Sequence, residues 1–378
     1  MIYRTPPIEG TLAQRLAELA QLRDELGRGV AGSARWMGTL RREVRASSIE
    51  SSTSIEGFGV SPDEALELTS DRGAADRGDE SRQAVACYAR AIDHVGSMAE
   101  DPAFRWSDRV ILDLHFDACH FQRDKGPGLW RTGPIGVTAA DGSLEFRGPD
   151  PAEVPGLIEE VVDWLAGGDL DVDGFVRAAM AHLHVTSVHP FRDGNGRVAR
   201  IVQSLVLARE GHGSPEFFSI EEYLGAHTQD YYAALRETQA GGYNPDRDAT
   251  GWVRFCLEAH IAQARQRLTQ IGQAAARWEH LETLVQERNW PDRLVIALEQ
   301  SLIGATDRRR YGKEAGVSAP TASADFRRLL DAGLVDQQGR GRSTSYVASD
   351  RLRRESKTED EGKSVVDSSQ LVRVEATG

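Results

Sequence analysis

Gly194-Asn195-Gly196 interrupts a stretch of helical sequence and constrains this chain more than any other feature. Two glycines around an asparagine accept backbone angles closed to most residues, so successive N–H groups can turn toward one anion. Val198, Ile201, Val202 and Leu205 then recur at helical spacing, which predicts a helix over about 195–210 with one buried face. Its positive N-terminal end adds to the nest. Arg197 and Arg200 are three residues apart and share a face of that helix, so both can point where the nest points. Guanidinium groups meet phosphate with a two-pronged geometry.

The residues just before the nest bring chemistry. His189 can titrate near neutral pH, as a general base must. Asp193 is placed to hold a Mg²⁺ that bridges phosphates. Phe191 is expected to turn inward and anchor the loop. The run His189-Pro190-Phe191-Arg192-Asp193-Gly194-Asn195-Gly196-Arg197-Val198-Ala199-Arg200 therefore reads as a polyphosphate site with a base and a metal ligand. His182 and His184 invite a histidine metal site with His189, but an i, i+2 spacing does not share a helical face.

Elsewhere helical periodicity dominates, and the fold class is mainly α. Leu12, Leu16, Leu19 and Leu22 form one stripe; a second helix runs from Met37 into the Ser-rich 47–54 and stops at Gly57 and Gly59. Residues 70–80 are polar and read as a loop, and helical spacing returns over 81–98. Ile135, Val137, Leu144 and Phe146 alternate around Asp141-Gly142, a strong hairpin signal. Further helices are expected over 155–166, 172–186, 227–239 and 250–287. Past Trp290 the order is helix (294–302), helix (308–315), turn, helix (319–330), then short strands over 332–335 and 344–347, the order of a winged helix-turn-helix. The tail is charged, Ser-rich and poor in apolar residues, so it reads as disordered. The expected divisions are an N-terminal helical region 1–100, a catalytic core with following helices 101–288, a winged helix-turn-helix 289–350 and a disordered tail 351–378.

Composition narrows the partners. A net charge of −13 and a pI near 5.3 disfavour general binding to nucleic acid or anionic membrane. Residues 301–350 differ, with eight Arg and Lys against six Asp and Glu. Ser318, Thr321 and Ser323 open the helix over 319–330, the would-be recognition helix, and Gly339-Arg340-Gly341-Arg342 forms the wing, so DNA contact through residues 308–342 is a reading to test. Cys87, Cys119 and Cys256 are an odd, widely spaced set, which argues for a reducing compartment and against a disulfide framework. With no secretory pattern and no long apolar run, a soluble cytoplasmic chain is the expectation.

The segment 189–200 resembles the HPFx(D/E)GNGRxxR motif of the Fic family at every specified position. The resemblance covers roughly residues 40–260 and implies a protein adenylyltransferase, which moves AMP from ATP to a Ser, Thr or Tyr hydroxyl of a protein. It implies His189 as base, Asp193 as Mg²⁺ ligand, Gly194, Asn195 and Gly196 around the α- and β-phosphates, and Arg197 and Arg200 on the outer phosphates. Ser52-Thr53-Ser54-Ile55-Glu56-Gly57 resembles the family's (S/T)xxxE(G/N) inhibitory motif, which implies that Glu56 pairs with Arg200 and competes with the γ-phosphate. Glu50, in a short echo of the motif, lacks the hydroxyl four residues earlier. The hairpin 134–147 corresponds to the family's flap for the target segment, with Arg131 and Thr132 as support. Tyr232 falls in a region flanking adenine. Some relatives with the glutamate also remove AMP. The partners are then ATP, a target hydroxyl that can be the chain's own, and a second copy of the chain. One rival is an enzyme on the same fold moving another phosphate-containing group; another is a nucleotide-sensing DNA-binding regulator.

Overall fold

The computed structural model describes residues 1–30, 36–69, 79–138, 144–212, 215–341 and 344–357. The helices in chain order are α1 (Gly10–Val30), α2 (Met37–Ser54), α3 (Pro62–Leu68), α4 (Glu80–Glu100), α5 (Asp108–Cys119), α6 (Val154–Gly167), α7 (Gly174–Val188), α8 (Asn195–Arg209), α9 (Pro215–Phe218), α10 (Glu221–Ala226), α11 (Thr228–Gln239), α12 (Thr250–Glu287), α13 (Leu294–Ile303), α14 (Arg308–Ala315), α15 (Ala319–Asp331) and α16 (Asp350–Lys357). The strands are β1 (Gly136–Thr138), β2 (Leu144–Arg147), β3 (Val335–Gln338) and β4 (Ser345–Ala348). The mainly α expectation holds. Among the described residues no helix is long and apolar enough to cross a membrane.

The chain divides into two compact units, residues 1–32 with 41–270 and residues 33–40 with 271–378. At the centre of the first lies α7, buried along its whole length, as a helix enclosed on all sides must be. It packs against α8, whose Val198, Ile201, Val202 and Leu205 are fully buried as their spacing predicts. Truncating such a leucine costs about 2–5 kcal/mol, so the helix start that carries Gly194–Arg197 rests on a rigid base. α4 and α5 close the same core.

β1 and β2 pair antiparallel, Gly136 opposite Arg147 and Val137 opposite Phe146, with a shift of register between Val137 and Thr138. Asp141-Gly142, the turn that predicted this hairpin, lies outside the described residues. β2 is tied down by Arg147, whose N–H donates to the carbonyl of Gly241 (3.0 Å).

In the second unit Phe326 stacks on Tyr346 (3.9 Å, 6°) within a core that includes Leu298, Tyr311, Leu329 and Leu334. Arg293 grips buried Asp325 through Nε (2.8 Å) and Nη2 (3.0 Å), and the hydroxyl of Tyr311 donates to the same carboxylate (2.7 Å). Asp307 and Ser318 cap α14 and α15. The antiparallel pair β3–β4 follows, with β3 starting at Val335 because Ala332 and Gly333 turn the chain, Gly333 at φ 65°. The expectation of disorder from 351 fails at its start. Residues 350–357 form α16, because its one leucine, Leu352, is fully buried and Arg351 pairs with Glu355 one turn on (2.8 Å). Residues 358–378 lie outside the described residues.

Candidate active site

The site begins where α7 ends. His189 caps that helix in the left-handed region (φ 50°), its N–H donating to the carbonyl of Val185 at 3.0 Å. Its Nδ1 lies 3.0 Å from the carbonyl oxygen of Thr186. A carbonyl only accepts, so Nδ1 carries the proton and Nε2 keeps its lone pair. Burial lowers the imidazole pKa below its ordinary value, so the ring is neutral at pH 7. Arg131 holds the loop from outside: Nε donates to the carbonyl of His189 (2.8 Å), Nη1 to Gly133 (3.0 Å) and Nη2 to Pro149 (2.7 Å). This arginine, expected only as support, links the loop to both flanks of the flap. Phe146 of β2 stands 5.7 Å from the His189 ring.

Phe191 is fully buried, as expected, stacked on His115 (3.7 Å, 14°) and beside Trp130. Asn195 brackets it, Oδ1 accepting from the Phe191 N–H (2.8 Å) and Nδ2 donating to its carbonyl (2.9 Å). The side chain of Asn195 thus shapes the loop and leaves only its backbone N–H for an anion. Nδ1 of His115 accepts from the N–H of Gly128 (2.9 Å), so its Nε2–H donates to the carbonyl of Asp193 (3.0 Å). Burial lowers the His115 pKa to about 4.

Gly194 starts α8 at φ 79°, and a Cβ there would stand 2.4 Å from the sulfur of Cys119. The first helical bond runs from Val198 N to Gly194 O (3.0 Å), which leaves the amides of Asn195, Gly196 and Arg197 at the helix start without helical acceptors. The Asp193 carboxylate accepts from the N–H of Gly194 (2.7 Å) and from Nε2 of Gln122 (2.9 Å). Oε1 of Gln122 in turn accepts from Nη2 of Arg197 (3.0 Å).

Arg197 and Arg200 are buried side by side. Arg200 donates from Nε to Oγ of Ser52 (2.7 Å), and from Nη2 to the carbonyl of Ser52 and to Oε1 of Glu56 (both 2.9 Å). Burial disfavours its charge, but the Glu56 carboxylate more than offsets this and raises its pKa. Gly57, at φ 86°, turns the chain directly after Glu56. A Cβ on Gly196 would lie 2.5 Å from Oε1 of Glu56, so that oxygen sits at the nest itself. Among the described residues, Nη1 of Arg200 and both Nε and Nη1 of Arg197 are buried without a hydrogen-bond partner. The Arg197 guanidinium lies over the rings of Phe58 (5.3 Å) and Phe121 (5.7 Å). Unpaired buried donors are costly, and three on two arginines of one helix face leave a concentration of positive charge open to an anion.

The fold therefore brings together His189, Asp193, Gly194, Asn195, Gly196, Arg197 and Arg200 with Ser52, Glu56 and Gly57. Tyr232 lies at the edge, 36% exposed, its phenol pKa pushed up to about 12 by burial and then by the charge of Glu56. Tyr231 beside it is buried and paired with Nε2 of His182 (3.0 Å), whose other ring nitrogen meets Gln203 (2.7 Å), so His182 is a core histidine. Sequence reasoning missed Gln122, His115 and Phe58. Gln122 and His115 lie 65 or more residues before the motif, outside any local pattern, while Phe58 directly follows the Ser52–Gly57 segment. Among the described residues no three His, Cys, Asp or Glu side chains are grouped to hold a metal. Asp193 fits Mg²⁺ in another way, since that ion is commonly held by one carboxylate plus substrate phosphates.

Residues 106–207 match the family model described as Fic/DOC family. The protein adenylyltransferase fic-1 of Caenorhabditis elegans is 36% identical over 101 residues, 26% of this chain and 19% of the worm protein. A probable protein adenylyltransferase of Aquifex aeolicus is 34% identical over 97 residues, 26% of this chain and 28% of its own length. These matches thus span under a third of either relative. A crystal structure of a Fic family protein from Desulfovibrio desulfuricans matches over 92% of this chain and 99% of its own, with TM-score 0.56 and 20% identity, a likeness of fold.

Proposed function

We propose that the chain is a protein adenylyltransferase that transfers AMP from ATP to a protein hydroxyl and is restrained by Glu56. The observation that carries this reading is the set of three unpaired, buried guanidinium donors on Arg197 and Arg200 in the first turns of α8, on the loop-and-helix segment that also carries His189 with its Nδ1 held by Thr186 and its Nε2 left to take a proton. Nε2 takes the proton of the incoming hydroxyl, the oxygen attacks the α-phosphorus, and the bond to the β-phosphate oxygen breaks to release pyrophosphate. The amides of Asn195, Gly196 and Arg197 receive phosphate oxygens, and the two arginines neutralise the charge that leaves. Asp193, steadied by Gln122, is the residue that would hold Mg²⁺, whose chemistry is to neutralise charge between phosphates. Glu56 takes Nη2 of Arg200 from the γ-phosphate, so ATP binds out of line until α2 withdraws. Arg200 engages only Oε1 of Glu56, which suits the same carboxylate to orient water in a separate reaction, AMP removal, in which water attacks the phosphorus of the protein–AMP bond and the protein hydroxyl and free AMP are released. Three buried, free thiols suit a reducing, cytoplasmic setting.

The test uses wild type, Glu56→Gly, and Glu56→Gly with His189→Ala, each with α-labelled ATP and Mg²⁺. Strong labelling of protein by Glu56→Gly, weak labelling by wild type and none by the double variant are expected. A silent Glu56→Gly that still binds nucleotide would overturn the reading.

A second reading concerns α13–α15 and the β3–β4 pair as a winged helix that contacts DNA. Asp325 is buried and paired with Arg293, which lies outside the counted residues, so the outer face of α14 and α15 is more basic than the sequence count suggests. Salt-dependent binding of duplex DNA, weakened by Arg308→Ala with Arg327→Ala, would support it. Arg342 lies outside the described residues.

A further inference from the structure

The helix that presents Glu56 is gripped a second time, one turn before its contact with Arg200. Ser48 and Ser52 are four residues apart on α2 and share a face. Ser48 is 6% exposed; its Oγ accepts from Nη2 of Arg267 (3.2 Å) and lies 3.1 Å from the hydroxyl of Ser219. The same Nη2 meets Oε1 of Glu222 at 2.7 Å, and Oε2 of Glu222 accepts from Nε2 of Gln266 (2.9 Å). Arg267 on α12 and Glu222 on α10 are both buried. Their hydrogen bonds run to Ser48, Gln266, Gln270 and each other, not to the catalytic loop. Between the two grips α10 touches the backbone of α2: a Cβ on Gly225 would lie 3.0 Å from Cβ and 3.3 Å from the carbonyl oxygen of Ser51.

We propose that Ser48, Glu222 and Arg267 are positioning residues of the brake: the buried ion pair clamps the Ser48 hydroxyl and so fixes the axial position of α2 at which Glu56 reaches Arg200. A buried arginine–carboxylate pair tolerates little displacement, because each partner left alone is an uncompensated charge. A helix is stiff over one turn and rises about 1.5 Å per residue. A slip of α2 by one residue therefore takes Glu56 out of its 2.9 Å contact with Arg200. The clamp lets the brake be released from residues that, among those described, make no hydrogen bond to the catalytic loop. This inference rests on the reading of Glu56 as inhibitory.

Ser48→Ala, Glu222→Gln, Glu56→Gly and Ser48→Ala with Glu56→Gly are compared with wild type as full chains. Two readouts are used: transfer from α-labelled ATP, and hydrogen exchange of backbone amides over 50–58 and 195–205. Ser48→Ala and Glu222→Gln are expected to raise transfer at least about fivefold, the low end of coupling between sites, and to quicken exchange over 50–58 alone. Ser48→Ala is expected to add nothing to Glu56→Gly. Unchanged transfer and exchange in Ser48→Ala, with Glu56→Gly active, overturns the clamp and leaves the adenylyltransferase reading standing. A further rise of Ser48→Ala on Glu56→Gly also overturns it. If Glu56→Gly is silent, the activity reading fails, and exchange over 50–58 in Ser48→Ala decides the clamp by itself, faster supporting and unchanged overturning. Glu222→Gln leaves Arg267 uncompensated and can loosen the whole unit, so Ser48→Ala, which keeps the ion pair, carries the decision.

Discussion

Nη2 of Arg200 donates to Oε1 of Glu56 at 2.9 Å, and a Cβ on Gly196 would stand 2.5 Å from that same oxygen. One carboxylate oxygen therefore occupies both the second arginine and the mouth of the anion nest. On the function proposed above, Glu56 and a polyphosphate would compete for that one place with like charge, and their binding would be antagonistic by simple electrostatics.

Arg200 should matter most once the brake is off. In the Glu56→Gly background, Arg200→Lys keeps a charge but loses the fork and its hold on Ser52. Transfer is expected to fall about 10²- to 10³-fold, as when one donor of a transition-state clamp is removed. Single-turnover rates check this; a change of less than about threefold would place the outer phosphates elsewhere.

Gly196→Ala separates displacement of Glu56 from activation. The added methyl pushes the carboxylate aside, yet it fills the space a phosphate oxygen needs. The expected result is loss of ATP binding by calorimetry with no gain in transfer. A variant as active as Glu56→Gly would show that the nest lies away from Gly196.

Gln122 joins Asp193 to Arg197 by hydrogen bonds of 2.9 and 3.0 Å. Gln122→Ala frees both groups to reorient and is expected to raise the Mg²⁺ concentration needed for transfer about 10- to 100-fold, the usual effect of removing an outer partner of a metal ligand. A Mg²⁺ titration in the Glu56→Gly background measures it. No shift would mean that Asp193 is held well enough by Gly194.

His189, the proposed base, sets an expected pH profile. Burial lowers the His189 pKa, so Nε2 is unprotonated at and above about pH 6.5, the ordinary imidazole value, and stays so some way below it. Transfer should be level from about pH 7 upward and fall only on the acid side. A rate that fell on the alkaline side instead would point to the imidazolium as the working form.

Stability should follow the buried histidines. His115 has its pKa lowered to about 4, and His182, His184 and His260 to about 3, all chiefly by burial. Below about pH 6.5 the unfolded chain binds protons at these positions while the folded chain does not. Stability therefore rises with pH across this window and is lost progressively as pH falls from about 6.5 toward 3–4. Urea midpoints at pH 7 and pH 5 check the sign, and His260→Gln should flatten the slope.

Much of the site was legible in residues 189–200, because its logic is local. Glycine freedom at 194 and 196 makes the loop, and helical spacing both buries Val198, Ile201, Val202 and Leu205 and aligns Arg197 with Arg200. The hairpin was legible from alternation around Asp141-Gly142. The start of the tail was misread because Leu352 looks isolated in sequence and is buried only by its neighbours in space. Asn195 was assigned to the phosphates through its backbone N–H, which stays open; that its side chain is taken by Phe191 is something no spacing rule reveals.

By itself, then, the sequence determined the helices, the faces they bury, and the loop that gathers His189, Asp193 and the two arginines, since torsional preference and periodicity act over a few residues. The pairing of Glu56 with Arg200 spans 144 residues and entered only through family resemblance. Tertiary structure alone decided that Gln122 bridges Asp193 and Arg197, that His115 props Phe191, and that Arg267 and Glu222 close on Ser48. Those contacts join distant segments, and the burial that makes each hydrogen bond and charge count exists only once the core has formed.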